Sequence, residues 1–244
     1  MKLFKKAILL VHGFAGGVYD NEYLDHRLEL ISSFDVYTFT LPGHDGDTSN
    51  KITGNDWIEK AESEVEFLIN NGYKKIYVIG HSMGGVIAAH LASKYKEVKK
   101  LILAAPAFHY LNVIKDDLNV SKSLKVAPKI IKDYGGDEVI ARMLKFNVIV
   151  IREFMELVKE HYDSPKDVNC PVLIIQGEND NLVPVSSSEY VYSSVKSNVK
   201  RLILVDGLNH DIFRGNKKEI IYSIVECFLK HYSIKGGIEN LWQN

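Results

Sequence analysis

The chain has 244 residues, with 30 lysines and arginines set against 31 aspartates and glutamates for a formal charge of −1. That balance excludes a long basic track for nucleic acid and offers no strong pull towards anionic membranes. Hydrophobic residues at 46% and charged residues at 25% describe a globular chain rather than a disordered one, long enough for one domain or for a domain with an insertion.

The opening Met1-Lys2-Leu3-Phe4-Lys5-Lys6 followed by Ala7-Ile8-Leu9-Leu10-Val11 imitates a secretion signal. The apolar stretch stops at His12-Gly13, however, whereas a signal core needs about 7–15 residues and a small-residue cleavage site. A buried strand is the expectation. No apolar run approaches the ~20 residues of a membrane span. Cys170 and Cys227 have neither metal-ligand spacing nor the density of a disulfide scaffold. These features point to a cytoplasmic protein without stable membrane association.

Strand-like runs occur at Ala7–Val11, Val36–Thr40, Lys75–Ile79, Lys100–Ala105, Val172–Gln176 and Arg201–Val205. They are nearly continuous in apolar residues, as strands covered on both faces should be. Helical stripes lie between them. Leu24, Leu28 and Ile31 share one face, and Ile58, Ala61, Val65 and Leu68 share another, with Gly72 placed to stop that helix. Ile220, Ile221, Ile224, Val225 and Phe228 form a third stripe, and the tail Ile234–Asn244 with Gly236-Gly237 reads as a loosely held terminus. The alternation predicts an α/β protein, a doubly wound, mostly parallel sheet of about six strands with right-handed crossovers.

Between Pro106 and Asp167 the rhythm breaks, with helical patterns, a Gly135-Gly136 break and no clear central strand. Phe146, Val148, Ile149, Val150, Ile151, Phe154, Met155, Leu157 and Val158 exceed what a single buried stripe requires. The expected organisation is a core of 1–106 and 168–244 with a helical cap inserted at 107–167, since long strandless inserts usually carry function. A pair of ordinary packing helices is the simpler alternative. On the cap reading, Phe146, Ile149, Phe154 and Met155 are the candidates for contact with an apolar ligand.

The sharpest motif is Gly80-His81-Ser82-Met83-Gly84-Gly85, which follows the apolar Ile76-Tyr77-Val78-Ile79 and precedes the helix-compatible Val86-Ile87-Ala88-Ala89. This is a G-x-S-x-G nucleophile elbow in its strand–turn–helix setting. A strained turn lifts the Ser82 hydroxyl clear of the sheet, and the helix that follows aims its N-terminus at developing negative charge. A serine hydroxyl needs a base to take its proton and an acid to orient that base. His210, in Asp206-Gly207-Leu208-Asn209-His210, and Asp180, in Gly177-Glu178-Asn179-Asp180, both lie just past strand ends, where ligands collect in open α/β sheets. Glu178, Asp206 and Asp211 are rival acids, but neighbours that close to the histidine or to Asp180 have ordinary roles in turns and solvation. His81 is expected to pack beside the nucleophile. The oxyanion donors expected are the N–H of Met83, which follows the nucleophile, and that of Phe14 in His12-Gly13-Phe14-Ala15-Gly16-Gly17, with His12 bracing the loop. This glycine cluster lacks the lysine and spacing of a phosphate-binding loop.

With these residues in place, the chain resembles α/β-hydrolase serine esterases, and more narrowly small bacterial carboxylesterases and monoacylglycerol lipases. The stretches that carry the resemblance are His12-Gly13-Phe14, Leu41-Pro42-Gly43-His44, Gly54-Asn55-Asp56-Trp57, Phe67-Leu68 through Gly72-Tyr73, the Ser82 elbow, Ala105-Pro106, and the Asp180 and His210 loops. In the loop after the second strand the chain departs from the family's Gly-His-Gly, reading Gly43-His44-Asp45-Gly46-Asp47. The resemblance implies a Ser82–Asp180–His210 triad with oxyanion donors at Phe14 and Met83, an acyl tunnel beneath a small cap, and no cofactor or metal. The substrate it implies is a small-molecule ester of short to medium acyl length or a monoacylglycerol, and the protein is expected as a monomer or homodimer. Thioester or amide cleavage, including peptidase activity, is the nearest alternative, and a non-catalytic ligand-binding member a more distant one.

Overall fold

Residues 5–18, 22–44, 52–109, 148–230 and 237–241 are described by the computed structural model. Within them lie seven strands of one sheet, the first six at the apolar runs: β1 (Lys6–Val11), β2 (Phe34–Thr38), β3 (Ile76–His81), β4 (Val98–Ala104), β5 (Val172–Gly177), β6 (Lys200–Val205) and β7 (Gly237–Leu241). Their order across the sheet is β2-β1-β3-β4-β5-β6-β7, and every neighbouring pair is parallel. The helices are α1 (Glu22–Glu29), α2 (Gly54–Asn70), α3 (Met83–Lys94), α4 (Val148–Glu160), α5 (Val185–Ser194) and α6 (Lys218–Lys230).

Side chains alternate along each strand, so one strand feeds two cores. Ala7, Leu9 and Val11 of β1 face a cluster built with Trp57, Ile58 and Val65 of α2, Val86 and Leu91 of α3, Phe154 and Leu157 of α4, and Val191 of α5. Ile8 and Leu10 face the opposite cluster, with Leu24 and Leu28 of α1 and Ile221, Val225 and Phe228 of α6. Burial on both faces explains why the strands read as unbroken apolar runs. The α2 stripe of Ile58, Ala61, Val65 and Leu68 is buried as expected. In α2 Thr53 accepts from the Asp56 N–H and Asp56 accepts in return from the Thr53 N–H, a reciprocal cap that starts the helix.

Three expectations need correction. Part of the tail expected to be loose forms β7 on the β6 edge, in register from Arg201↔Gly237 to Val205↔Leu241, and brings the sheet to seven strands among the described residues. Arg201 of β6 also pairs with Glu239 of β7. Main-chain bonding to an open edge needs no apolar pattern, so this run carries no strand signal in the sequence. Ile31 lies beyond the end of α1, though it still packs on the core, and Ile220 stands 56% exposed outside the buried stripe of α6. Of the inserted region, Phe146 and Gly135-Gly136 lie outside the described residues. Residues 148–167 supply α4 and a short 3-10 turn at Ser164–Asp167.

One interior charge ties the layers together. Lys100 on β4 is 1% exposed, and its Nζ donates to the carbonyls of Phe228 (2.6 Å) and Leu229 (3.0 Å) at the end of α6. A cation at the C-terminus of a helix meets both the orphan carbonyls and the negative end of the dipole.

Candidate active site

The sheet order places a switch point between β1 and β3: the chain leaves β1 towards β2 on one side and returns to β3 on the other. Loops leaving the two strands diverge there and open a crevice at their C-terminal ends. His12-Gly13-Phe14 leaves β1 and Ser82-Met83 leaves β3 at this crevice. Gly13 marks the contact, because a Cβ on it would lie 3.1 Å from the Ser82 Cβ.

Ser82 has φ 56° and ψ −121°, a conformation costly for a residue with a side chain. Close packing enforces it. A Cβ at Gly80 would come within 2.2 Å of the Gly84 carbonyl oxygen, and one at Gly84 within 2.2 Å of that of Val11. The Ser82 N–H donates to Ala104 O (2.9 Å), and its carbonyl accepts from Gly85 (2.9 Å) and Ala107 (3.1 Å). Ser82 stands where a serine commonly caps a helix, yet its hydroxyl makes no cap bond to α3. Met83 opens α3, so its N–H is among the first-turn amides that lack an intrahelical acceptor.

Asp180 and His210 come together from the loops after β5 and β6, with His210 Nδ1 2.8 Å from Asp180 Oδ2. The Asp180 side chain is fully buried. Its Oδ1 accepts from the N–H groups of Leu182 and Val183, each at 2.9 Å, and Oδ2 accepts from Gln176 Nε2 at 3.1 Å. Burial alone would raise its pKa. The charge and hydrogen bond of His210 and the two backbone donors outweigh burial and hold the carboxyl below the usual aspartate value. A carboxylate only accepts, so His210 carries its proton on Nδ1 and leaves Nε2 with a lone pair. The loops abut closely, since a Cβ at Gly177 would sit 2.2 Å from Leu208 O. His81 of the elbow joins them to Ser82: its Nε2 donates to His210 O (2.9 Å) and its ring lies 4.8 Å from that of His210.

The loop after β1 is braced as the sequence suggests. His12 Nε2 accepts from Leu41 N–H (3.0 Å), which puts its proton on Nδ1, and Nδ1 donates to Gly13 O (2.8 Å). Trp57 Nε1 donates to Pro42 O (2.9 Å), and the Phe14 ring meets those of Trp57 (6.1 Å), His44 (5.8 Å) and Phe154 (5.3 Å, stacked). Three short motifs far apart in the chain thus converge on Phe14.

The ligand-contact candidates divide. Phe154 is 2% exposed and packed on Phe14, Met155 is half-buried, Ile149 is 51% exposed, and Phe146 lies outside the described residues. Sequence reasoning missed Gln176, a fully buried polar side chain against Asp180. A lone glutamine at a strand end belongs to no motif. Glu178 and Asp211, the rival acids beside the pair, are half-buried and exposed respectively.

The chain is 22% identical over 238 residues to a carboxylesterase of Bacillus subtilis, covering 92% of each protein. It is 23% identical over 244 residues to a monoacylglycerol lipase of Mycolicibacterium smegmatis, covering 91% of this chain and 87% of that one. Its fold is similar to the crystal structure of a Paleococcus ferrophilus monoacylglycerol lipase, with a TM-score of 0.69, 20% identity, and 91% and 93% of the two chains covered. The Hydrolase_4 family model, described as serine aminopeptidase, S33, matches residues 4–217. The parallel sheet, the elbow at its switch point and this match together make the chain a member of that family, a hydrolase of the α/β-hydrolase superfamily.

Proposed function

We propose that the protein is a serine esterase that cleaves carboxylic esters of apolar acyl groups, of short to medium length or monoacylglycerols, through an acyl-enzyme on Ser82. The observation that carries this reading is the buried Asp180–His210 pair at 2.8 Å, tied through His81 to an elbow that withholds the Ser82 hydroxyl from its own helix. Both kinds of relative, the carboxylesterase and the monoacylglycerol lipase, support the ester class.

In this mechanism His210 Nε2 takes the hydroxyl proton as Ser82 Oγ attacks the ester carbonyl, and Asp180 stabilises the imidazolium. The N–H groups of Phe14 and Met83 hold the oxyanion of the tetrahedral intermediate. His210 then gives its proton to the departing alcohol. A water enters, loses a proton to His210 and attacks the acyl-enzyme, which releases the acid and returns the proton to Ser82. Residues 107–167 act as a cap, with α4 seated over Phe14. Phe154, stacked on Phe14, is the contact candidate on the inner face of that helix, and Phe146, Ile149 and Met155 are the further ones. All steps use side chains and backbone groups of the chain, and no cofactor or metal is invoked. The proposed setting is the cytoplasm, with the protein as a monomer or homodimer. Among the described residues no helix is long and apolar enough to cross a membrane.

Turnover of p-nitrophenyl esters from acetate to palmitate, by wild type and by Ser82→Ala, tests the reading. A maximum at short or medium chains that disappears in Ser82→Ala is expected. A folded wild type that cleaves none of the esters overturns it. The family description favours a second reading, amide or peptide cleavage by the same groups, which matched anilides and thioesters assayed beside the esters would reveal.

A further inference from the structure

We infer that Gln176 is a positioning residue for the proposed reaction, locking the Asp180 carboxylate in the plane that faces His210. The inference rests on the serine mechanism proposed above. Gln176 is the penultimate residue of β5, with its side chain fully buried. Its Nε2 lies 3.1 Å from each of three acceptors, Asp180 Oδ2, Val183 O and Gly177 O, while Oε1 accepts from Ser188 Oγ at 2.8 Å. Two of those acceptors are backbone carbonyls, which never donate, so the amide must present its NH2 to the loop. Ser188, also fully buried, fixes the other end of the amide from α5.

The consequence lies in the lone pairs of Asp180. Oδ1 receives two backbone donors, and Oδ2 receives Gln176 and His210. A carboxylate has about four acceptor sites, so all are engaged and the group cannot turn without breaking a bond. Gln176 also draws on the same oxygen that faces the imidazole. Without that donor the carboxylate is held by one bond fewer, and more of its negative charge faces the Nδ1–H of His210. The other ionisable neighbours are His81, packed on the His210 ring from the elbow, Glu178 on the acid's own loop, and Asp211 following His210. The substitutions below leave these groups unchanged.

The test compares wild type with Gln176→Leu, Gln176→Glu and Ser188→Ala in ester hydrolysis from pH 5 to 9, with the melting temperature of each. In Gln176→Leu kcat is expected to fall roughly tenfold, the value of one hydrogen bond to a charged group, with KM little changed. The acid limb of its pH–rate profile moves to higher pH. Gln176→Glu keeps the shape but puts a carboxyl where the donor stood, and it shifts the limb in the same direction. Ser188→Ala loosens the amide without touching Asp180 and gives a smaller shift, which keeps the test intact if Gln176→Leu fails to fold. Folded variants with wild-type kcat, or with a loss uniform across pH and an unmoved limb, overturn the inference and leave Gln176 a packing residue. Asp180→Asn separates this from the reaction itself: ester turnover that survives Asp180→Asn overturns the serine mechanism, whereas its loss beside wild-type behaviour at Gln176 overturns only the role of Gln176.

Discussion

Two backbone N–H groups bind Asp180 Oδ1 and cannot change roles. In Asp180→Asn the amide oxygen therefore has to remain with them, and the NH2 turns towards His210 Nδ1 and Gln176 Nε2. His210 then has to accept at Nδ1 and carry its proton on Nε2, which blocks the proton transfer proposed from Ser82. A loss of kcat of about 10⁴-fold is expected in Asp180→Asn, with the fold retained by circular dichroism. At this scale the strained turn at Ser82 and the meeting of Asp180 with His210 are legible, because a G-x-S-x-G turn and two loops after strands leave marks in chain order. Gln176 is not, because burial and hydrogen bonding define it and neither leaves a local pattern.

At the scale of elements, α4 is held to the body by more than its apolar stripe. Glu153 accepts from the Gly54 N–H at the start of α2 (3.2 Å), and Phe154 stacks on Phe14, whose own N–H is a proposed oxyanion donor. Phe154→Ala is expected to cost about 3–5 kcal/mol of stability, as for other buried aromatics. It should also lower kcat/KM on every ester, because the loop that carries the proposed oxyanion donor loses its support; denaturant melts and chain-length profiles measure the two effects. Ile149→Ser, at an exposed position of the same helix, is expected to change stability by no more than about 0.5 kcal/mol. Both residues belong to one apolar run in the sequence, and only the packed helix separates the buried face from the outer one.

Across the whole molecule, Lys100 links the central sheet to α6. Burial, aided by the like charge of Lys6, pulls its pKa down from the ordinary 10.5 to about 8. Between those values the unfolded chain binds more protons than the folded one, so the contribution of Lys100 makes stability rise with pH from about 8 to 10.5. Lys100→Met should remove that slope and, by orphaning the Phe228 and Leu229 carbonyls, cost about 1–3 kcal/mol near neutral pH. Unfolding free energies of the two proteins at pH 7, 8, 9 and 10 make the comparison. A lysine at the edge of an apolar run reads as a strand boundary, and nothing local in the sequence foretells that a helix 128 residues later ends above it.

Apolar periodicity and glycine placement in the sequence by themselves determined the parallel α/β architecture, six of its strands and the elbow, because burial on two faces and a turn without room for Cβ atoms each demand particular residues in a row. Chain order along strand ends then placed Ser82, Asp180 and His210 at one edge of the sheet. Only the tertiary structure decided which groups hold them: Gln176 and Ser188 behind Asp180, His81 against His210, and Phe154 and Trp57 around Phe14. It also decided that part of the tail adds β7 and that Lys100 closes α6. These contacts join residues distant in the chain, through hydrogen bonds and ring packing whose partners no local pattern specifies.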